Sequence, residues 1–399
     1  MMQAVKISDK VYWVGAIDWN LRDFHGYATH RGTTYNAYLI LDDKPTLIDT
    51  VKKEFYDEMM QRIQSVIDPQ KIEIIISNHA ELDHAGSLVQ TMATVKPQAV
   101  YASIMGAKNL TAHFHQDLHI KIAKTGDRIN IGEDTICFTE ARMLHWPDSM
   151  FSYLERENIL FSNDVFGMHY ATNRLFDDEN DSKEWFPEAA KYYANIVLPY
   201  SDIVLRFLEQ IKKIGLSPHL IAPDHGFIWR KNPSEIVNLY EKWAQQKPTN
   251  KAVIIYDTMW GSTEKIARQI ADGLSAGGAT VKMLSMHQND RSQAALELLD
   301  SAALLVGSPV LNNQIFPSLA DVLCYLKGLR KKGLIGAAFG SYGWNGAPID
   351  ELATTLQSMQ VELTVPTLKT MFVPDETILQ KGREMGLEMS RQIAAKLNL

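Results

Sequence analysis

The chain has 399 residues, 46% hydrophobic and 22% charged, which excludes a disordered or fibrous protein and gives length enough for two cores. A formal charge of −7 argues against broad binding to nucleic acid or to an anionic membrane, since both need a positive field. Two cysteines, Cys137 and Cys324, are too few for a disulfide framework or a four-cysteine iron–sulfur segment, and both are expected to be reduced, buried thiols.

The first residues, Met1-Met2-Gln3-Ala4-Val5-Lys6-Ile7-Ser8, show no charged leader before an apolar stretch. No window approaches the roughly 20 apolar residues of a spanning helix, so a cytoplasmic location is expected. In the first half, runs at 35–41, 72–76 and 135–138 read as strands, and 54–66 and 203–214 as helices, a mixed α/β pattern. The polar, proline-containing stretch 243–250 marks a boundary and divides the chain into 1–248 and 249–399. Beyond it, strands at 252–256, 280–284, 303–306 and 334–339 alternate with amphipathic helices, the rhythm of βαβ crossovers and a doubly wound parallel sheet.

The first chemical constellation follows the strand at 72–76 and reads Asn78-His79-Ala80-Glu81-Leu82-Asp83-His84-Ala85-Gly86. If the backbone stays extended, His79, Glu81 and Asp83 share one face and His84 opens the next turn. Three further candidates, His145, Asp164 and His225, each sit in a turn just past an apolar run, where a loop can aim a ligand inward. Any one such group is commonly only a helix cap, but the seven together make a plausible metal cage. Four imidazoles and three carboxylates without a thiolate suit iron or manganese at least as well as zinc. Thr111-Ala112-His113-Phe114-His115-Gln116-Asp117-Leu118-His119 has metal-like spacing as well, yet reads as structural or solvent-facing.

The second constellation runs from strand 252–256 into Asp257-Thr258-Met259-Trp260-Gly261-Ser262-Thr263 and then a helix. Backbone N–H groups and the hydroxyls of Thr258, Ser262 and Thr263 can encircle a phosphate there without a lysine. Gly307-Ser308-Pro309-Val310-Leu311-Asn312-Asn313 and Gly340-Ser341-Tyr342-Gly343-Trp344-Asn345-Gly346 end two more strands on the same edge, where open α/β sheets bind ligands.

In order along the chain, the seven metal candidates resemble the motif of the metallo-β-lactamase superfamily, with Glu81 where hydrolytic members usually carry a second histidine. The three later loops resemble the phosphate loop and the two isoalloxazine loops of flavodoxin. Val310 departs from a threonine and Ala347 from a glutamate common in the relatives. Fused in this order, the two halves resemble the flavodiiron proteins over essentially the whole chain. That resemblance implies an N-terminal metallo-β-lactamase-like αββα sandwich and a C-terminal flavodoxin-like doubly wound parallel sheet. It implies FMN, two iron ions per chain, and reduction of dioxygen to water or of nitric oxide to nitrous oxide.

By the same resemblance one iron takes His79, Glu81 and His145, the other Asp83, His84 and His225, with Asp164 bridging. Whether His84 is bound stays open, because its position in the family is not always seen on metal. His25 and Tyr193 match positions near the metal pocket that supply protons. The resemblance places FMN against Thr258, Met259, Trp260, Gly261, Ser262, Thr263, Ser308, Pro309, Val310, Leu311, Asn312, Ser341, Tyr342, Gly343, Trp344 and Gly346. It also implies an external electron donor, a rubredoxin or a reduced deazaflavin, and a head-to-tail homodimer or dimer of dimers. The basic run Leu329-Arg330-Lys331-Lys332-Gly333 offers an acidic donor a docking charge. A metal-dependent hydrolase with accessory FMN is the alternative, and an electron carrier with a structural metal is a third.

Overall fold

Side chains alternate faces along a strand, and this alternation gives the first core its two sides. In the computed structural model, which describes residues 2–213 and 215–399, Tyr38, Ile40, Ile48, Ile74 and Ile76 point one way into one buried cluster. Leu39, Leu47 and Ile75, between them in register, point the other way into a second cluster with the helices Tyr56–Gln64, Leu88–Val95 and Ile104–Phe114. A mixed sheet of seven strands carries both faces, and its parallel centre pairs Thr46–Ile48, Ile74–Ser77 and Ala99–Ala102. A second sheet of five strands, Arg128–Asn130 through Leu220–Ala222, packs on it through Ile136, Phe138, Met150, Leu154 and Phe161. Helix Ser201–Lys213 covers the far side, with Phe207 edge-on to Phe151 at 5.0 Å. Two helical layers outside two sheets make the αββα sandwich.

The run at 35–41 is two strands, Thr33–Tyr35 and Tyr38–Ile40, because Asn36 is taken out of the ladder. Its N–H donates to Asp224 O at 2.8 Å, and its amide donates to Pro223 O at 2.7 Å and Gly226 O at 3.0 Å. The interruption holds the loop that carries His225. The expected helix 203–214 is observed as Ser201–Lys213, and Ile214 lies outside the described residues.

The C-terminal sheet has the strand order Thr280–Ser285, Lys251–Tyr256, Ala303–Leu311, Ile335–Tyr342, and then Glu362–Leu363 and Leu368–Met371, both paired to the fourth. All these pairings are parallel, and the order is that of flavodoxin-like doubly wound sheets. The third strand outlasts its expected end at 306 and turns through Asn312 and Asn313 (φ 51° and 57°) into a short antiparallel partner, Gln314–Ile315. Two left-handed residues are what a tight hairpin turn requires.

By contact the chain divides into two compact units: one of 2–24, Thr29–Tyr192 and Asp202–Glu241, the other of His25–Ala28, Tyr193–Ser201 and Lys242–Leu399. Among the described residues no helix is long and apolar enough to cross a membrane. Both cysteines depart from the expected burial: Cys324 is exposed and Cys137 only half-buried. Helix Pro317–Leu329 buries Leu319, Val322, Leu323 and Leu326, and Cys324, one residue past Leu323, is rotated off that face.

Helix Ser262–Ala276 lies on the C-terminal helix Glu376–Leu397 through glycines. A methyl on Gly273 would stand 2.0 Å from Arg383 O, and one on Gly386 2.1 Å from Ile270 O. Neither backbone can yield cheaply, so Gly273→Ala is expected to destabilise the second unit by about 1–3 kcal/mol, read as an earlier urea transition. An unchanged transition would show that the two helices separate freely.

Candidate metal centre and flavin cleft

Strand Ile74–Ser77 delivers the chain to the metal motif, but the backbone does not stay extended through it. Glu81 (φ −64°, ψ 143°) starts a single helical turn, Leu82–Ala85, closed by His84 N and Ala85 N on Glu81 O at 3.0 and 2.8 Å. This corrects the alternation expected from sequence: Asp83 and His84 sit on that turn. The consequence is a division of labour, with His79 and Glu81 before the turn serving one group and Asp83 and His84 the other.

His79, Glu81, His145 and Asp164 converge in one group, and Asp83, His84 and His225 in a second, each residue offering one ligand atom within 4.8 Å of the others in its group. Asp164 joins them. Its Oδ2 lies 2.9 Å from His145 Nε2 and 3.3 Å from His79 Nε2, while its Oδ1 lies 3.2 Å from His84 Nε2 and 3.4 Å from His225 Nε2. His225 Nε2 is also 3.2 Å from Asp83 Oδ2, and His79 Nε2 3.3 Å from Glu81 Oε2. Donors bound at about 2.1 Å to one cation stand roughly 3.0–3.4 Å apart in octahedral or tetrahedral geometry, which matches these separations. Both Asp83 oxygens, both His84 nitrogens and Asp164 Oδ1 are buried without a hydrogen-bond partner. Buried polar atoms are normally satisfied, so this set fits a pair of cations.

Electrostatics say the same. Burial opposes charge on His84, yet the carboxylates of Asp83 and Asp164 outweigh it and push the imidazole up to about 9. His79 is raised well above its ordinary value against the same burial, by hydrogen bonds it donates to Asp148, Asp164 and Glu81. Burial alone would raise Asp164, but His84, His145 and His79 hold it well below the usual carboxylate range.

The ligands are aimed from behind. His79 Nδ1 donates to Asp148 Oδ2 at 3.0 Å, and the same oxygen accepts from Ala80 N at 2.7 Å. His225 Nδ1 donates to Thr34 O at 2.6 Å, leaving Nε2 for metal. These bonds fix the tautomer that presents Nε2 inward. Asp49, raised to about 6 chiefly by burial, accepts from Asn78 N at 2.7 Å and holds the strand end.

Sequence reading missed Asp148, His169 and Tyr192. His169 is buried with its ring 4.6 Å from that of His225, and Tyr192 lies 5.1 Å from His169 and 6.1 Å from His225. Tyr193 instead belongs to the second unit, its hydroxyl 3.0 Å from Ser201 Oγ and its ring 5.4 Å from Trp243. His25 is exposed, at φ 54°, and also belongs to the second unit. The sequence 192–193 is a tyrosine pair, and a one-residue step is the only distinction to be read. The His113–His119 stretch contributes to neither metal group, and His119 pairs with Asp117 in the open.

In the second unit a cleft of about 450 Å³ opens at the carboxyl edge of the sheet. Met259, Trp260 and Ser262 line it from the first loop, Pro309, Val310, Leu311 and Asn312 from the second, and Ser341, Tyr342, Gly343 and Trp344 from the third. Trp260 and Trp344 are 92% and 85% exposed, large apolar surface at a cleft mouth. Gly261 (φ 82°) turns the chain into helix Ser262–Ala276, and Thr258 Oγ1 is buried without a partner beside it. Thr263 shares a hydrogen bond with Ser341 at 2.9 Å. Ser308 is spent locally, donating to Pro309 O and accepting from Phe316 N, and Gly346 precedes helix Ala347–Ser358. A flat apolar opening beside a helix N-terminus with an orphaned hydroxyl fits a phosphorylated flavin.

Residues 33–226 match the family described as ODP family beta lactamase, and residues 254–386 match flavodoxin. A nitric oxide reductase of Moorella thermoacetica is 45% identical over 99% of this chain and 100% of its own length. The solved rubredoxin oxygen:oxidoreductase of Desulfovibrio gigas superposes with a TM-score of 0.97 at 43% identity, covering 100% of both chains. The solved flavodiiron protein of Giardia intestinalis gives 0.95 at 32% identity, covering 99% and 98%. The chain belongs to the flavodiiron proteins. This flavodiiron chain accordingly carries FMN and a diiron site, and the paired groups could hold metal ions.

The basic run of the flavodiiron chain is not a continuous charged surface. Lys331 is buried, its Nζ donates to Gln246 O at 3.2 Å, and burial pushes its ammonium down to about 8. Only Arg330 and Lys332 remain exposed.

Asp148→Ala should weaken metal retention by about 10–100-fold, measured as metal per chain after dialysis against a graded chelator. Retention equal to wild type would mean that Asp148 orients nothing.

Proposed function

We propose that this oxidoreductase passes electrons from an external donor through FMN to its diiron site, and there reduces dioxygen to water or nitric oxide to nitrous oxide. One observation carries the reading: a single carboxylate, Asp164, faces both metal groups, in the same chain as a flavin cleft. When bound, FMN supplies two electrons and the metal pair two more, the four that take dioxygen to two waters, whereas two nitric oxides consume two.

The protein's own residues divide the remaining work. Asp164 together with His79, Glu81 and His145 would hold one iron, and together with Asp83, His84 and His225 the other. Glu81 and His145 keep side-chain exposures of 12% and 15% while His79 and His84 have none, so a small substrate reaches the site from the Glu81–His145 side. Burial and the nearby carboxylates, Asp164 first, hold the Tyr192 hydroxyl protonated, placing a proton beside the metal ligands. Thr258 and the N-terminus of helix Ser262–Ala276 take the phosphate of FMN, and the tryptophan-lined opening takes its ring. Residues 1–248 house the first function and 249–399 the second. The donor is a rubredoxin or a reduced deazaflavin, the location is the cytoplasm, and the assembly is a head-to-tail homodimer that brings one chain's flavin to the other's irons. Glu81, an added negative ligand, supports redox cycling over the hydrolase alternative.

The reading is tested by titrating fully reduced protein anaerobically with each gas while following flavin absorbance. Flavin reoxidation by one gas is expected, with no peroxide released, and Asp164→Ala is expected to abolish turnover while leaving FMN bound. If neither gas reoxidises the flavin, the proposed activity is wrong. Light scattering during turnover should give twice the chain mass, and a fully active monomer would remove the head-to-tail arrangement.

A further inference from the structure

Beyond the three loops recognised in the sequence, a fourth segment reaches the flavin cleft. The fifth strand position, Leu368–Met371, runs parallel to Ile335–Tyr342 and ends at the same edge. The two residues after it, Phe372 and Val373, line the cleft beside Trp344. Both are more than half exposed, Phe372 at 60%. Phe372 is also left-handed, at φ 57°.

A left-handed backbone crowds Cβ and is unusual for a bulky side chain. Here the surroundings enforce it from both sides. Phe372 N donates to Tyr342 O at 2.7 Å, extending the ladder one residue past the strand, and three residues later Asp375 caps helix Glu376–Leu397 by accepting from Ile378 N at 2.9 Å. Between these two anchors the chain must turn, and the turn swings the Phe372 ring over the third loop. A Cβ on Gly343 would meet Phe372 Cε1 at 3.5 Å, ordinary contact distance. Glycine or asparagine would take this backbone at less cost. A strained, solvent-facing aromatic locked over a ligand cleft points to a use for its ring.

We propose that Phe372 is a flavin-binding residue, forming with Val373 a fourth wall that contacts the isoalloxazine ring and not the phosphate. The inference rests on the FMN reading of the cleft. An apolar ring offers nothing to a phosphate, while burial of a flat heteroaromatic against it removes apolar surface from water.

The test titrates the full-length apoprotein with FMN and, separately, with riboflavin, which has the same ring without the phosphate. Phe372→Gly should raise Kd about tenfold for both ligands, because the lost contact is with the ring they share. The apoprotein's melting temperature should not fall, since glycine accepts the left-handed backbone. Phe372→Asn, which also tolerates that backbone, repeats the test if the glycine variant fails to fold, and Phe372→Tyr should restore wild-type affinity. Unchanged affinity for both ligands, or a loss confined to FMN, overturns the proposal. If the wild-type chain binds neither flavin, the FMN reading itself has failed, and the two failures are thereby told apart.

Discussion

Three carboxylates and four imidazoles, drawn from four separate loops and mostly buried, stand within a few ångströms of one another, and that concentration of charge is the constraint the first unit is built to satisfy. Isolated carboxylates do not survive burial, and here each faces an imidazole. Asp164 is the knot, since its two oxygens serve different groups. Everything behind the ligands answers to that arrangement. Asn36 leaves its strand to hold the His225 loop, Asp148 orients His79, and Asp49 ties down the end of the strand that leads into the motif. The sandwich supplies rigidity, and the loops at one edge of it supply chemistry.

The flavin half works under a different constraint. Its sheet exposes a row of loops at one edge, and the cleft exists because those loops stand apart from one another. Asn345 Nδ2 donates to Asn313 Oδ1 across two of them at 3.3 Å, and Asn312, Asn313 and Phe372 take left-handed backbone at its edge. Large apolar side chains left in water, Trp260 and Trp344 above all, mark a surface that is incomplete without its ligand.

Much of this was legible in the residues. The seven metal candidates are polar side chains at the ends of apolar runs, and no ordinary packing argument places so many there. The parallel sheet announced itself through uninterrupted apolar strands at regular spacing. What escaped was set by contacts distant in sequence. Nothing local to Asp148 signals His79, 69 residues away, as its partner. The motif from 78 to 86 fits period two as well as a single helical turn, and only the closing hydrogen bonds onto Glu81 decide for the turn. Tyr192 and Tyr193 are adjacent and equally apolar in pattern, yet they serve different units. Phe372 belongs to no recognisable loop motif, because its placement follows from strand pairing and a helix cap.

The imidazoles among the metal ligands carry a further consequence. A ring nitrogen binds metal only when it carries no proton, so acid and metal compete for the same atoms. Raising the pH favours loading of such a site and lowering it favours release.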